Sequence, residues 1–270
     1  MSYRISVLMG IYNCASTLQE ALDSLYAQTY QNFKVILCDD GSKDGTLKIA
    51  EENARNHDNV IVIKNDRNMG LNFTLNHCLV YADTEYIARM DGDDISLPKR
   101  FEKEIKFLDE HLDYAVVSSP MVYFDEGGDF RWGKGKGEVE SIDFVYGTPV
   151  CHAPSMSRTS VIKRVGGYSV NDKLLRVEDY HLWFKVFAAG YKLFMMDECL
   201  YKMRDDRNAL ARRNWITRRN EAYVKHIGFK MIGLPVWCQL FTVVPILKYF
   251  TPFWIYKFIH KHITIHSVLI

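Results

Sequence analysis

Several features that would place this 270-residue chain in a specialised class are missing from its sequence. Its six cysteines are scattered and include no C-x-x-C pair, so neither a zinc site nor a disulfide framework is indicated. Its 34 basic side chains are balanced by 33 acidic ones, so no general affinity for nucleic acid is expected. Internal repeats and low-complexity segments are also absent. The 48% hydrophobic content is enough to fill the core of a large globular domain.

Signals for secretion or membrane crossing are also missing. Strand-like Ile5–Met9 follows Met1 so closely that no room remains for a signal peptide, and we expect a cytoplasmic protein. The 17-residue uncharged stretch 231–247 would span only about 25 Å as a helix, short of the roughly 30 Å hydrocarbon core. Pro235 and Pro245 interrupt it, so a complete crossing is not expected.

The first hundred residues alternate between strand and helix patterns. The predicted elements are strands at Ile5–Met9, Phe33–Cys38, Val60–Ile63 and Tyr86–Met90, with helices at Thr17–Gln28, Thr46–Arg55 and Leu71–Val80. A helix at Lys99–Asp109 and a strand at Ala115–Ser118 extend the pattern. This alternation predicts an α/β fold with a mainly parallel sheet, helices on both faces and ligand loops at the carboxyl ends of the strands.

Asp91-Gly92-Asp93-Asp94 places three carboxylates within four residues at the end of a predicted strand. Carboxylates this close repel one another unless a cation or a solvated turn relieves them, and hard cations prefer oxygen ligands. A metal site and an acidic surface turn are therefore the two interpretations of this box.

A second acid-rich turn, Asp39-Asp40-Gly41-Ser42, ends the neighbouring strand. Two such turns at adjacent parallel strands would face the same crevice, where an Asp side chain can bind a base or a ribose hydroxyl. We expect Asp39 to face a ligand, and Asp44 or Ser42 to cap the next helix.

The segment Val122–Gly147 is rich in glycine, aromatic and charged residues, and we expect a long loop or an irregular hairpin. Its aromatic residues Tyr123, Phe124 and Trp132 are candidates for stacking on sugar rings, with core packing as the alternative. His152 has the same ambiguity, because a histidine in a loop is more often structural than functional.

Six motifs together resemble the family 2 glycosyltransferases with the GT-A fold. In chain order they are Ile5–Asn13, Asp39–Ser42, Asn68–Gly70, Asp91–Asp94, Gly166–Tyr168 and Glu178–Asp179. The match covers about residues 4 to 200. It implies a nucleotide-diphospho-sugar donor, with uridine favoured, a divalent Mg²⁺ or Mn²⁺, and inversion at the anomeric carbon.

The resemblance also implies roles for particular residues. Tyr12 would stack on the base, and Asp39, with Asp40 and Asn68, would bind the nucleotide. Asp93 would hold the metal with help from Asp91, which also contributes to donor binding, while the box leaves Asp93 and Asp94 as alternative direct ligands. Asp179 resembles the family's general base; the alternative for Asp179 is an N-cap of a helix starting near Tyr180.

Two departures from the family pattern affect the expected reaction. The Gln-x-x-Arg-Trp motif of processive synthases is absent, because the nearest match, residues 211–215, lacks its glutamine. Single transfer is therefore expected. An Arg-x-His-like loop of many members corresponds to residues 203–206 here, where Asp206 would supply an oxygen in place of the histidine.

The C-terminal part of the sequence is basic, with ten Lys or Arg and one acid, Glu221, from residue 207 onwards. Lys, Trp, Tyr and Phe are interleaved there, as in segments that lie in the headgroup region of an anionic membrane. The alternative is a helical appendage that packs on the catalytic domain or on a second subunit. We therefore predict a catalytic domain at 1–205 and a helical appendage at 206–270; within the domain, 1–100 would bind the donor and 101–205 the acceptor.

These observations predict a metal-dependent, inverting glycosyltransferase that acts once on a glycan or lipid-linked acceptor in cell-surface polysaccharide synthesis, at the inner face of the membrane. A homo-oligomer is compatible with the sequence. A nucleotidyltransferase would need a glycine-rich, basic phosphate loop, which does not follow Met9. A catalytically dead binding module would have lost acids that this chain retains.

Overall fold

The computed structural model of the protein describes residues 3–205 and 214–251. The N-terminal region alternates strands and helices as predicted. The elements are β1 (Ile5–Ile11), α1 (Leu18–Tyr26), β2 (Phe33–Asp39), α2 (Thr46–Asn56), β3 (Val60–Lys64), α3 (Leu71–Tyr81) and β4 (Tyr86–Arg89). Each begins within about two residues of its predicted start, because hydrophobic periodicity is strong in this region.

The following region is more irregular. It contains β5 (Ile95–Ser96), α4 (Arg100–Glu110), β6 (Tyr114–Ser118), β7 (Met121–Asp125), β8 (Gly128–Trp132), β9 (Gly137–Glu138), α5 (Asp143–Tyr146), β10 (Met156–Arg158), α6 (Thr159–Arg164), α7 (Glu178–Ala188), β11 (Lys192–Met195) and β12 (Tyr201–Arg204). The irregular hairpin expected after Val122 is present as the antiparallel pair β7 and β8. Past residue 213 the described elements are α8 (Trp215–Met231), a 3-10 helix (Val236–Val243) and α9 (Val244–Phe250).

The main sheet has the strand order β3-β2-β1-β4-β10-β6-β11-β9. Strands β3, β2, β1 and β4 are parallel, while β10 is inserted antiparallel between β4 and β6. Ile11 at the end of β1 pairs with Asp39 at the end of β2, and Leu8 of β1 pairs with Arg89 at the end of β4. The turns after these three strands therefore lie along one edge of the sheet.

The core has two layers because the central strands are buried on both faces. All seven residues of β2 are buried, as expected for a parallel strand between helices. On one face α1 buries Leu18, Ala21, Leu22 and Leu25, which follow helical spacing. Burial of each large apolar side chain contributes about 1.5–3 kcal/mol, so these contacts hold the strand ends in place.

A second sheet of four strands has the order β5-β12-β7-β8. Strand β12 pairs antiparallel with β5 and parallel with β7. Since β5 begins directly after Asp94, this pairing places Tyr201 and Arg204 of β12 beside the acidic box. The pairing joins residues more than 100 positions apart in the sequence.

Helix α8 packs against α7. The rings of Phe229 in α8 and Phe184 in α7 lie 6.1 Å apart, and a Cβ on Gly228 would lie 2.3 Å from the Phe184 ring. A glycine is therefore required for the close approach of the two helices. The Asn220 side-chain amide donates to the carbonyls of Asp172 and Leu175 at 3.1 Å. Of the two alternatives for the C-terminal region, packing on the rest of the protein therefore holds for α8. Within residues 3–205 and 214–251 no helix is both long and apolar enough to cross a membrane.

Candidate active site

The turns after β1 and β2 are joined by hydrogen bonds through Asn13. Its backbone adopts a positive φ of 48°, its N–H donates to Ser42 Oγ at 3.0 Å, and its Oδ1 accepts from the Lys43 N–H at 2.8 Å. This link presents the preceding residue, Tyr12, to solvent with 46% of its surface exposed. An exposed aromatic ring at this edge is available for stacking on a planar ligand.

Asp39 is buried, with only 3% of its surface exposed, yet only one of its oxygens is satisfied. Oδ2 accepts from the Ser42 N–H at 3.1 Å, while Oδ1 has no hydrogen-bond partner within the described parts of the chain. A buried acceptor without a partner costs about 1–3 kcal/mol. A donor from a ligand would recover that cost, so Asp39 fits a binding role.

Asp40, in contrast, has all its hydrogen bonds within the protein. Oδ1 accepts from Asn65 Nδ2 and from the Met69 N–H, both at 2.8 Å, and Oδ2 accepts from the Gly70 N–H at 2.9 Å. These bonds fix the loop that carries the exposed side chain of Asn68. Asp40 therefore positions this loop.

Asp44 has the structural role expected for it, although the N-cap residue of α2 is Gly45, so Asp44 precedes the cap and is not the cap itself. Its Oδ1 accepts from the N–H of Thr46, the first residue of α2, and its Oδ2 accepts from the Ala15 N–H at 3.1 Å. Hydrogen bonding to Thr46 is the main cause of a lowered pKa at this carboxylate. Asp44 thus stabilises the start of α2 and the turn after β1.

The acidic box forms one cluster. Carboxylate oxygens of Asp91, Asp93 and Asp94 all lie within 4.8 Å of one another. Asp94 is buried, Asp91 is half-buried and Asp93 is solvent-accessible. Displacement of water by surrounding protein, followed by repulsion from Asp91, raises the pKa of both Asp93 and Asp94 above the ordinary aspartate value. The arrangement therefore favours a bound cation, which would relieve both effects.

Backbone and side-chain groups from β12 orient the box. The Asp91 N–H donates to the Tyr201 hydroxyl at 3.1 Å, and the Arg204 N–H donates to Asp94 Oδ1 at 2.8 Å. Arg204 Nε also donates to the Asp93 carbonyl at 3.0 Å. Asp94 Oδ2 is buried without a hydrogen-bond partner among the residues that the structure describes. Three clustered carboxylates with such an oxygen fit a divalent cation by both charge and ligand type.

Arg89, the last residue of β4, was not recognised in the sequence analysis. It is buried, and its guanidinium forms an ion pair with Asp91. Arg89 pairs with only one of the three carboxylates, and Arg204, whose Nε donates to the Asp93 carbonyl, forms its own ion pair with Glu20, so neither arginine neutralises the whole box. An arginine two residues before the box is the sequence signal that would have identified it.

Asp179 lies in the first turn of α7, which begins at Glu178 and has Val177 as its N-cap residue without a side-chain capping bond. The helix therefore begins before Asp179, and this residue is not an N-cap. Burial, followed by repulsion from Glu178, raises the pKa of Asp179 to about 6. A carboxylate that titrates near neutrality is suited to accept a proton.

The turn Gly166–Tyr168 precedes α7, the helix that carries Asp179. Gly166 and Gly167 have φ values of 77° and 59°, and the Tyr168 N–H donates to Asn76 Oδ1 at 2.8 Å. The Tyr168 hydroxyl lies 2.8 Å from His152 Nε2. Burial and the nearby Arg89 hold the pKa of His152 well below its ordinary value. His152 is thus a neutral, hydrogen-bonded group, which supports its structural interpretation.

The aromatic residues of the β7–β8 hairpin differ in exposure. Phe124 is buried under the guanidinium of Arg204, 4.5 Å from the ring centroid, and Tyr123 is covered by Arg131 at 3.5 Å. Trp132 is 60% exposed and remains the candidate for stacking. Asp206, the predicted substitute for the family histidine, lies outside the described residues.

The parallel strand ends, the acidic box and the inserted antiparallel β10 define a GT-A glycosyltransferase fold. The family model "Glycosyl transferase family 2" matches residues 6–165, and the chain belongs to this family. It is 38% identical over 263 residues to "Putative glycosyltransferase EpsE" from Bacillus subtilis (strain 168), covering 96% of this chain and 93% of the relative.

Two further similarities are informative. The Escherichia coli enzyme "UDP-Gal:alpha-D-GlcNAc-diphosphoundecaprenol beta-1,3-galactosyltransferase" is 32% identical over 227 residues, which is 79% of this chain and 78% of that protein. The structure of the mannosyltransferase PcManGT from Pyrobaculum calidifontis, in complex with GDP-Man and Mn²⁺, aligns with a TM-score of 0.65 and 18% identity. It covers 98% of this chain and 81% of the other, and it supports the fold. The predicted family and fold are confirmed.

Proposed function

We propose that this glycosyltransferase moves one sugar from a nucleoside-diphosphate donor, preferably a uridine one, to a glycan or lipid-linked acceptor in cell-surface polysaccharide synthesis, with inversion. The observation that carries the proposal is the cluster of Asp91, Asp93 and Asp94 at the strand edge that also bears Asp39. The Escherichia coli relative, whose name specifies a UDP-sugar donor and a lipid-linked acceptor, supports the choice of substrates.

The donor would be held by the turns after β1 and β2. Tyr12 stacks on the base, and the free Oδ1 of Asp39 accepts a hydrogen bond from the base or the ribose. Asn68 contacts the nucleotide from the loop that Asp40 fixes, so Asp40 contributes to binding indirectly. Asp91 faces the donor from the acidic box.

Asp93 and Asp91 would hold Mg²⁺ or Mn²⁺, and the buried Asp94 oxygen is close enough to contribute to the same site. The bound cation supplies charge neutralisation at the departing diphosphate. The acidic residues keep their fixed positions through β12, and Arg89 holds the Asp91 carboxylate in place. Such preorganisation lowers the cost of charge development in the transition state.

Asp179 would act as the general base. As the acceptor oxygen forms its bond to the anomeric carbon, the proton of the acceptor hydroxyl moves to the Asp179 carboxylate and the bond to the diphosphate breaks. A single displacement of this kind inverts the anomeric configuration. The raised pKa of Asp179 suits this role, because a base that titrates near the working pH transfers protons most efficiently.

We further propose that the enzyme acts in the cytoplasm, peripherally attached to an anionic membrane surface. The excess of basic residues after position 206 supports this location, as does the lipid-linked acceptor named for the Escherichia coli relative.

A panel of nucleotide sugars tests the proposal. Purified protein is incubated with UDP-, GDP- and dTDP-sugars, with Mn²⁺, with Mg²⁺ and with a chelator, and nucleotide diphosphate release is measured. We expect release from one class of donor, preferably UDP-sugars, that depends on the added cation. Full turnover in the chelator would contradict the metal assignment, and preferential turnover of GDP-sugars would contradict the choice of base.

A further inference from the structure

Residues 236–250 expose an unusual number of large apolar side chains. They are Val236 (86% exposed), Trp237, Leu240 (73%), Val243, Leu247, Tyr249 and Phe250 (69%). We call this set the apolar face. Single exposed apolar residues are ordinary on protein surfaces, whereas a concentration of them within 15 consecutive residues marks a surface that contacts something other than water.

The apolar face continues onto neighbouring elements through ring contacts. Trp237 lies 6.1 Å from Phe241, and Phe241 lies 6.4 Å from Tyr146 at the end of α5. At the other end, Tyr249 lies 5.5 Å from Trp215, the first residue of α8. The exposed segment therefore adjoins α5 at one end, through Phe241 and Tyr146, and the start of α8 at the other, through Tyr249 and Trp215.

The exposed segment itself carries positive charge. Residues 236–250 contain one charged side chain, the basic Lys248; Lys230 precedes them, and the last acid in the sequence is Glu221 of α8. Interleaved lysine and aromatic side chains are typical of surfaces that bind anionic lipid headgroups. A symmetric contact with a second copy would bring equal positive charges together, which disfavours this alternative.

The shape of the segment also fits a surface contact. The 3-10 helix Val236–Val243 and the seven-residue helix α9 are far shorter than the roughly 20 residues of a spanning helix. Side chains such as Trp237 and Leu240 can enter the headgroup region while the backbone stays outside the hydrocarbon.

The segment that carries the apolar face contacts, through Phe241 and Tyr146, a part of the chain that leads to the proposed acceptor side of the site. Tyr146 is followed by the loop 147–152, where burial, followed by the nearby Asp179 carboxylate, raises the pKa of the Cys151 thiol. A surface that adjoins Tyr146 is therefore placed to bring the acceptor side of the site towards a leaflet.

We propose that the apolar face docks on an anionic lipid leaflet and so presents the site to an acceptor whose lipid part stays in the membrane. This rests on the proposed transferase function for the acceptor, while the docking itself is independent of it. The basic C-terminal sequence predicts a general affinity for membranes. The proposal names the part of the chain, residues 236–250, that makes the contact.

The test uses full-length protein and co-sedimentation with vesicles of phosphatidylcholine and phosphatidylglycerol. The double variant Trp237→Ser, Leu240→Ser removes apolar surface at two exposed positions. The matched control is Val80→Ser, Leu112→Ser, which changes residues 74% and 79% exposed elsewhere on the protein. We expect the vesicle partition coefficient to fall about tenfold or more in the first variant and to remain unchanged in the control.

A second arm tests the charge. Lys248→Glu should weaken binding to the phosphatidylglycerol vesicles severalfold, while Lys48→Glu on the exposed surface of α2 should not. High salt should release part of the wild-type protein, and vesicles of phosphatidylcholine alone should bind it less. Equal loss in the face variants and their controls would overturn the proposal.

Donor hydrolysis in the absence of vesicles separates this proposal from the transferase function. The Trp237, Leu240 variant should retain wild-type hydrolysis and circular dichroism, because both side chains are mostly exposed. A concentration-dependent dimer that this variant abolishes, without vesicle binding by the wild type, would assign the face to a second copy and overturn the proposal. Vesicle binding with no donor turnover would instead contradict only the transferase assignment.

Discussion

Two acid-rich turns at the same edge of the sheet have similar sequences and different internal chemistry. In the turn after β2, Asp40 accepts three hydrogen bonds from Asn65, Met69 and Gly70, so its negative charge is used to hold a loop. In the box after β4, carboxylate oxygens of Asp91, Asp93 and Asp94 lie within 4.8 Å of one another, with one ion pair from Arg89 and one N–H from Arg204. Clustered acids therefore indicate a ligand site only where the protein leaves them without enough donors.

The difference follows from the backbone around each turn. Gly41 has a φ of 76°, and a Cβ there would lie 2.9 Å from the backbone of Arg67. The turn after β2 therefore packs tightly against the loop whose N–H groups donate hydrogen bonds to Asp40. The box instead lies between β4 and β5, where β12 supplies one N–H, from Arg204, to Asp94. Arg89 is the only buried cation in the described parts of the chain that forms an ion pair with the box. The turn after β2 is thus mostly structural, with Asp39 as the exception.

The largest effect is expected for Asp93→Ala. Loss of the accessible carboxylate should reduce metal-stimulated donor turnover by about 10³-fold or more, because charge on the departing diphosphate would be poorly neutralised. Thermal unfolding without added metal should show an unchanged or higher Tm, since the substitution removes repulsion with Asp91. Asp58→Ala, at an exposed position near the opposite end of the sheet, is the control for turnover. Normal Mn²⁺ stimulation in Asp93→Ala would exclude this residue as a ligand.

Asp179→Asn should give the next largest effect. The amide has nearly the same size but cannot accept the proton, so kcat should fall by about 10²-fold or more. Nucleotide affinity should stay close to wild type, because the proposed nucleotide contacts come from other turns. Calorimetric titration with UDP and steady-state kinetics separate the two quantities. A variant that kept its kcat would require a different base.

Asp40→Ala and Asp39→Ala test the comparison within the first turn. Asp40→Ala leaves the N–H groups of Met69 and Gly70 without their acceptor, so the free energy of unfolding should fall by about 2 kcal/mol or more. Asp39→Ala removes one internal bond, to Ser42, and should mainly weaken nucleotide binding, by about tenfold. Denaturant unfolding and UDP titration on both variants provide the measurements. If both variants lost the same unfolding free energy and the same UDP affinity, Asp40 would not be more structural than Asp39.

The sequence predicted the N-terminal half of the fold well because its information is local. Apolar residues of α1 follow a helical period, and the strand β2 is an uninterrupted apolar run. The short strands β5, β10 and β12 were not predicted. Each has two to four residues, and each is defined by pairing with a strand distant in sequence, as when Tyr201 of β12 pairs with Ser96 of β5.

The candidate site was predicted to a similar extent and for a similar reason. The acidic box was recognised because its three carboxylates are adjacent in the chain. The ion pair between Arg89 and Asp91, the hydroxyl of Tyr201 behind the box, and the contact of Tyr168 with His152 depend on the tertiary fold. The different roles of Asp39 and Asp40 also depend on the tertiary fold, because two adjacent aspartates cannot be distinguished by sequence pattern alone.

The smallest expected effect concerns the pH dependence of the base. With a pKa of about 6, Asp179 must be deprotonated to act, so kcat/KM should decline as the pH falls below about 6. Glu178→Gln removes a neighbouring negative charge that raises this pKa, so the acidic limb should move to lower pH, by up to about one unit. Burial, the larger cause, remains, so the base should still titrate above an ordinary aspartate. Glu110→Gln on the exposed end of α4 should leave the profile unchanged. A limb that moved to higher pH in Glu178→Gln would show that the two carboxylates do not repel each other in the working enzyme.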